Sequence, residues 1–148
     1  MGNLRAGELR TQVETQLART QQRLTPKRAA IVAVLSGASR PMTIPEILAA
    51  DDSLAQSSVY RNLVVLEDAG VVRRIVTTDE FVRYELDEEL TGHHHHLVCT
   101  RCGTVEDVLA SSGLETSLAA AVAQIDESTG FRTKSHRIDL VGLCRACG

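Results

Sequence analysis

The chain has 148 residues, 43 % of them apolar and 24 % charged, with a formal net charge of −3. That is enough apolar material for one folded domain or two small ones, which excludes a disordered chain; no apolar run is long enough to span a bilayer and no targeting segment opens the sequence, so a cytoplasmic protein without a membrane partner is expected. The charge is unevenly placed: residues 1–76 carry ten Lys and Arg against seven Asp and Glu, and residues 77–148 six against twelve, so the first half suits a polyanion and the second suits cations.

Residues 7–22 predict a first helix, with Leu9, Val13 and Leu17 spaced four apart on one face. A second helix starts at Thr25, a capping hydroxyl, with Pro26 in the first helical position, Ile31, Val32, Val34 and Leu35 on its apolar face and Gly37 as its stop. Lys27 and Arg28 sit in its first turn, where positive charge opposes the helix dipole; contact with phosphate is a compensating reason. Thr43-Ile44-Pro45-Glu46 has the form of a capping box and opens a short third helix that ends near Ala50. A fourth helix runs from about Gln56 to Ala69, turns Val59, Leu63 and Leu66 inward, and stops at Gly70. Residues 71–76 and 81–86 then alternate as two strands joined by Thr77-Thr78-Asp79-Glu80.

A helix-turn-helix followed by such a hairpin is a winged helix, and its fourth helix is the one shaped to enter a major groove. Double-stranded DNA is the expected partner. Ser57 and Ser58 suit phosphate oxygens, Arg61 suits a guanine edge, and Tyr60 either meets a base or packs in the core. Arg73, Arg74 and Arg83 on the wing fit phosphate contact, and each also fits a merely solvated surface.

The acidic stretch from Glu85 through Asp87, Glu88 and Glu89 predicts a joint. It divides the chain into a winged-helix domain (1–86), a hinge (87–92) and a second domain (93–148). The second domain opens on His93-His94-His95-His96-Leu97-Val98-Cys99-Thr100-Arg101-Cys102, four imidazoles and two thiols in ten residues. Cys144-Arg145-Ala146-Cys147 supplies a second Cys-x-x-Cys pair. Four thiolates on one tetrahedral zinc are the favoured reading of Cys99, Cys102, Cys144 and Cys147; two disulfides or a thioredoxin-like redox motif are the alternatives. If the His run enters the strand that carries Val98, alternation sends His94 and His96 to one face and His93 and His95 to the other. Beyond the Cys pair, residues 104–108 predict a strand, Leu114, Leu118, Val122 and Ile125 an amphipathic helix, and residues 131–141 a last strand with His136, Ile138 and Leu140 on one face. The fold class is α+β, a winged helix-turn-helix followed by a small α/β module. So small a module buries little alone, so a homodimer is expected. A zinc-dependent hydrolase or a thiol oxidoreductase is the rival from another class, although no His-Glu-x-x-His is present.

Several pieces together resemble the ferric-uptake-regulator (Fur) family of bacterial metal-responsive repressors: Leu24-Thr25-Pro26-Lys27-Arg28, Ser58-Val59-Tyr60-Arg61-Asn62-Leu63, Leu66-Glu67-Asp68-Ala69-Gly70-Val71-Val72, the whole stretch from His93 to Gly103, Ser135-His136-Arg137 and the terminal Cys pair. They follow the family's order over nearly all of the chain. The resemblance implies a repressor and not an enzyme, with a dimerisation module, a four-cysteine structural zinc, a regulatory divalent metal at the hinge and no small organic substrate. It implies that Glu85, His94, His96 and Asp107 form the hinge site, and that His93, His95, Glu115 and His136 form a further site. The hinge runs longer than in that family, so Asp87 and Glu89 stand as alternatives to Glu85. Pro41 and Met42 occupy the place where iron and peroxide sensors often carry a histidine, and Arg73 stands near the position of a wing aspartate used by several zinc sensors. Nitrogen and oxygen donors admit zinc, ferrous iron, manganese or nickel. The missing histidine favours zinc as co-repressor, with an iron-responsive or peroxide-sensing repressor as the alternative.

Overall fold

The computed structural model describes residues 5–77 and 80–148; Thr78 and Asp79 of the expected wing turn lie outside the described residues. Helix α1 (Ala6–Arg19) buries Val13, Gln16 and Leu17. It stops earlier than its sequence predicts because Gln21 takes the left-handed conformation at φ 58°, and the Gln22 amide then bonds the Leu17 carbonyl at 2.9 Å, a helix stop made without glycine. Helix α2 (Pro26–Gly37) begins as expected: the Thr25 hydroxyl accepts from the Arg28 amide, and Ile31, Val32 and Leu35 are buried.

Thr43 caps α3 (Ile44–Ala50), and Glu46 reaches back to the Thr43 amide at 2.7 Å. Helix α4 (Gln56–Asp68) buries Val59, Leu63 and Leu66. Gly70 follows at φ +71°, a conformation that favours glycine. The wing strands are β2 (Val72–Val76) and β3 (Val82–Leu86), and a two-residue strand β1 (Met42–Thr43), absent from the sequence reading, pairs with the far side of β3 to give the antiparallel order β1-β3-β2.

The segment read as a hinge contains a single helical turn, α5 (Glu88–Thr91), capped by the Asp87 side chain. Leu90 from this turn packs in the same core as Leu17, Leu66, Val71 and Leu86, so the packing of the first half reaches into the acidic stretch. Next come β4 (His95–Cys99), β5 (Val105–Val108), α6 (Ser112–Thr129) and β6 (Asp139–Gly142). The second sheet has the order β5-β4-β6, with β5 antiparallel and β6 parallel to β4.

The last strand is much shorter than its apolar pattern predicts, and His136 and Ile138 precede it. Asp126 near the end of α6 accepts from the Thr133 amide at 2.9 Å and from its hydroxyl at 2.7 Å, and those bonds hold the connecting segment against the helix instead of the sheet. Helix α6 buries none of its residues within the single chain, and Leu114, Ile125, Leu140, Val141 and Leu143 are all exposed. Among the described residues no helix is long and apolar enough to cross a membrane.

Candidate metal centres

Among the described residues, three clusters gather metal-ligating side chains, and in each the donor atoms lie within 4.8 Å of one another. The first unites Cys99 and Cys102, on either side of the turn after β4, with Cys144 and Cys147 after β6. All four thiols are free. Cys102 Sγ stands 3.7 Å from Cys144 Sγ, far beyond a disulfide bond and close to the spacing of about 3.8 Å that two thiolates adopt on one tetrahedral zinc. Amides of Cys102 and Cys144 directed at Cys99 draw its thiol down to about 6, while the neighbouring Cys144 and Cys102 thiols push Cys147 up to about 12. Four sulfurs this close repel as thiolates, and a cation among them removes that penalty.

The second cluster stands where β3, the His run and β5 converge. Glu85 Oε2 lies 3.1 Å from His94 Nε2 and 3.2 Å from His96 Nε2, and Asp107 Oδ1 lies 3.9 and 3.8 Å from the same nitrogens. Ligand atoms on a tetrahedral cation of zinc's size stand about 3.4 Å apart, so the donor set fits such an ion with little movement. The outer ring atoms are already engaged: His94 Nδ1 faces the Gly92 carbonyl at 3.0 Å and His96 Nδ1 faces Asp139 at 3.4 Å, an arrangement that points both Nε2 atoms inward. His96 is fully buried and Glu85 nearly so. Burial raises the cost of charge on Glu85, yet hydrogen bonds from His94 and His96 and the Arg73 guanidinium hold its carboxyl far below the usual range. The Glu85 bond pushes His94 up to about 9. Burial raises Asp107. A cleft of about 260 Å³, walled partly by Leu35, Arg40, Asp107 and Leu109, opens beside the cluster and gives an ion a way in.

The third cluster takes the opposite face of the run. Glu115 from α6 reaches His95 Nε2 at 2.6 Å and His136 Nε2 at 3.1 Å, and His136 lies 3.0 Å from His93. The bond from His95 holds the half-buried Glu115 carboxyl below its ordinary value. The partition of the four imidazoles therefore follows the alternation expected from sequence, although only His95 and His96 belong to the strand proper. Asp87 and Glu89, the alternatives to Glu85, stand outside the hinge cluster: Asp87 caps α5, and Glu89 accepts from Gln16 at 3.4 Å.

On α4 the residues Ser57, Tyr60 and Arg61 are exposed and Ser58 is half-buried; at 52 % exposure Tyr60 is not a core aromatic. Lys27 bonds the Ser53 carbonyl, and Arg28 bonds Asn62 Oδ1 at 3.1 Å while Asn62 bonds the Ser58 carbonyl at 2.8 Å, so α2 is tied to the first turns of α4. Arg74 lies exposed, 3.6 Å from Glu67. Arg83 is buried and bonds Thr77 Oγ1 at 2.7 Å. Arg73, expected on a phosphate-facing wing, instead turns into the second cluster, with Nε 2.5 Å from Glu85 Oε1.

The sequence profile described as the Ferric uptake regulator family matches residues 19–141. The chain belongs to the ferric uptake regulator family. It is 34 % identical to the ferric uptake regulation protein of Bacillus subtilis, over 91 % of each chain, and 32 % identical to the peroxide operon regulator of the same organism, over 96 % of this chain and 94 % of that one. Its fold is similar to the solved Helicobacter pylori ferric uptake regulator, with a TM-score of 0.77 at 22 % identity over 99 % of this chain and 97 % of that one. Membership makes this ferric uptake regulator homologue a metal-responsive DNA-binding repressor and not an enzyme. Three residues that meet the clusters were not assigned to them from sequence: Arg73, read as a wing contact; Glu88, read as part of the joint, whose carboxylate meets His93 Nδ1 at 2.7 Å; and Asp139 behind His96. Asp139 stands opposite His96 across the parallel pairing of β4 and β6, a long-range register that no local signal announces.

Proposed function

We propose that this family member represses transcription when a divalent metal, zinc by preference, occupies Glu85, His94, His96 and Asp107. The observation that carries the reading is where those donors come from. Glu85 ends the wing, whereas His94, His96 and Asp107 belong to the second half, so drawing them together fixes the angle between a DNA-binding unit (1–86) and a dimerisation unit (93–148) across residues 87–92. A bound divalent cation supplies the positive charge that two carboxylates and two imidazoles share. Without the ion, Arg73 balances Glu85 from within the wing and Asp107 has no cation to share, so the joint is held less tightly.

Ser57, Ser58, Tyr60 and Arg61 then face the groove of an operator, with Lys27, Arg28 and Arg74 toward its phosphates. The exposed apolar residues of α6 and β6 pair with a second copy, which sets two recognition helices on one duplex. Cys99, Cys102, Cys144 and Cys147 hold a structural zinc, and His93, His95, Glu115 and His136 hold a further ion. A coupling of about 1–3 kcal/mol between hinge metal and DNA changes affinity roughly 5- to 150-fold. Ferrous iron is the second reading for the hinge, favoured by the similarity to a ferric uptake regulation protein and a peroxide operon regulator.

The test titrates the full chain with zinc, ferrous iron, manganese and nickel while measuring affinity for palindromic duplex DNA. One metal raises affinity, and the His94→Ala/His96→Ala variant loses that response while keeping its cysteine-bound zinc. An unchanged response in this variant overturns the reading.

A further inference from the structure

Arg73 brings a fixed positive charge into a site built for a cation. It stands directly across the wing ladder from Glu85, in register on β2 and β3, so both side chains emerge on one face. Its guanidinium divides among three partners: Nε donates to Glu85 Oε1 at 2.5 Å, Nη2 lies 3.4 Å from His94 Nε2, and Nη1 lies 3.5 Å from Glu88 Oε2. Two of those partners are members of the hinge donor set, and His94 Nε2 is the very atom that faces the other donors. A guanidinium stays charged at every accessible pH and so yields its place only by moving. Glu88, on α5, is the carboxylate within reach when it moves, and it is otherwise held by His93.

We propose that Arg73 is a tethered competitor for the hinge metal site, holding Glu85 and keeping its charge beside His94 until a metal displaces it toward Glu88, and that this exchange sets the metal concentration at which the site fills. The inference rests on the reading of the hinge cluster as a metal site. It adds an affinity-setting residue outside the donor set. It also gives α5 a role, because that single turn carries the carboxylate that receives the displaced charge.

The test is a chelator-competition titration of zinc in the full chain, carried out in a His136→Ala background so that the hinge site is read alone above the cysteine-bound zinc. Arg73→Met, which keeps the aliphatic stem and removes the charge, is expected to tighten hinge binding by about ten-fold or more, since like charges at this range repel strongly even in a well-screened site. Arg73→Lys, whose ammonium lacks the fork that reaches Glu85 and Glu88 at once, is expected to fall between that variant and the parent, and it serves if Arg73→Met folds poorly. Glu88→Gln is expected to weaken hinge binding several-fold in the parent and to have no effect beside Arg73→Met. In the NMR spectrum the Arg73 Nε–H, bonded to Glu85, is expected to exchange slowly in the zinc-free hinge and faster as the site fills. Unchanged or weaker zinc binding in both Arg73 variants overturns the proposal and makes the ion pair a structural support for Glu85. Hinge zinc retained by His94→Ala/His96→Ala overturns the underlying reading instead, so the two failures are separable.

Discussion

The two halves of this molecule are held together by different physics. In the first, Val13, Leu17, Ile31, Ile47, Val59, Leu63, Leu66 and Val71 are at most 1 % exposed and belong to one continuous core. Past residue 92, burial falls on Val98, Val105 and Cys99 and on two imidazoles, His95 and His96, while α6 buries nothing. Removing apolar surface from water accounts for the winged helix, and it does not account for the second half. There the sheet closes around polar donor clusters and the last cysteines meet those after β4, so the proposed ligation and pairing with a second copy would take over the role of a core.

The largest expected effect strikes that second half alone. Replacing Cys102 and Cys144 with serine removes two of four thiols from the site proposed to hold a structural zinc, an ion worth about 10–16 kcal/mol in small modules. Hydrogen exchange followed by mass spectrometry is expected to show residues 93–148 losing protection while residues 26–76 keep theirs. Equal loss in both halves breaks the contrast. Leu63→Ala works in the opposite direction: truncating a fully buried leucine costs about 2–5 kcal/mol, read as an earlier denaturation of the winged helix, with zinc content by elemental analysis unchanged. A fall in zinc content with Leu63→Ala shows that the halves fold as one unit.

The contrast also explains what the sequence discloses. Features governed by neighbours in the chain are legible: the caps at Thr25 and Thr43, the stop at Gly70, the two Cys-x-x-Cys pairs and the alternation that sorts four adjacent histidines into two sites. Features decided by distant partners are not. Strand β1 is two residues long and exists because β3 offers it an edge. Asp87, Glu88 and Glu89 have the composition of a solvated linker, and only the burial of Leu90 turns them into a docked helical turn. Arg73 carries the charge expected of a phosphate contact, and a cross-strand register shared with Glu85 redirects it inward. Residues 131–141 show the same limit: their alternation predicts strand, and Asp126 holds Thr133 against α6 instead.

The smallest effect lies in the first half and tests whether its stability is independent of metal. Glu46 accepts from the Thr43 amide at 2.7 Å, from the Thr43 hydroxyl at 2.9 Å and from Arg40 at 2.6 Å. Partial burial disfavours its charge, and the bonds from Arg40 and Thr43 outweigh that, so its carboxyl titrates below the usual 4.5. A depressed folded value means that the stabilisation is fully present above pH 4.5 and is lost as the pH falls through the lower folded value. Glu46→Gln is expected to cost a few tenths to about 1 kcal/mol at pH 7, the range of an exposed cap with a screened ion pair. In urea denaturation the difference from the parent shrinks toward zero as the solution is acidified, and a chelator leaves it unchanged at pH 7 because the bonds described for Arg40 run to Glu46 and the Pro41 carbonyl although it lines the cleft beside the hinge cluster. A cost that persists undiminished in acid shows that shape and neutral hydrogen bonds hold the start of α3. A cost that changes with chelator ties the winged helix to the metal clusters more closely than its own apolar core requires.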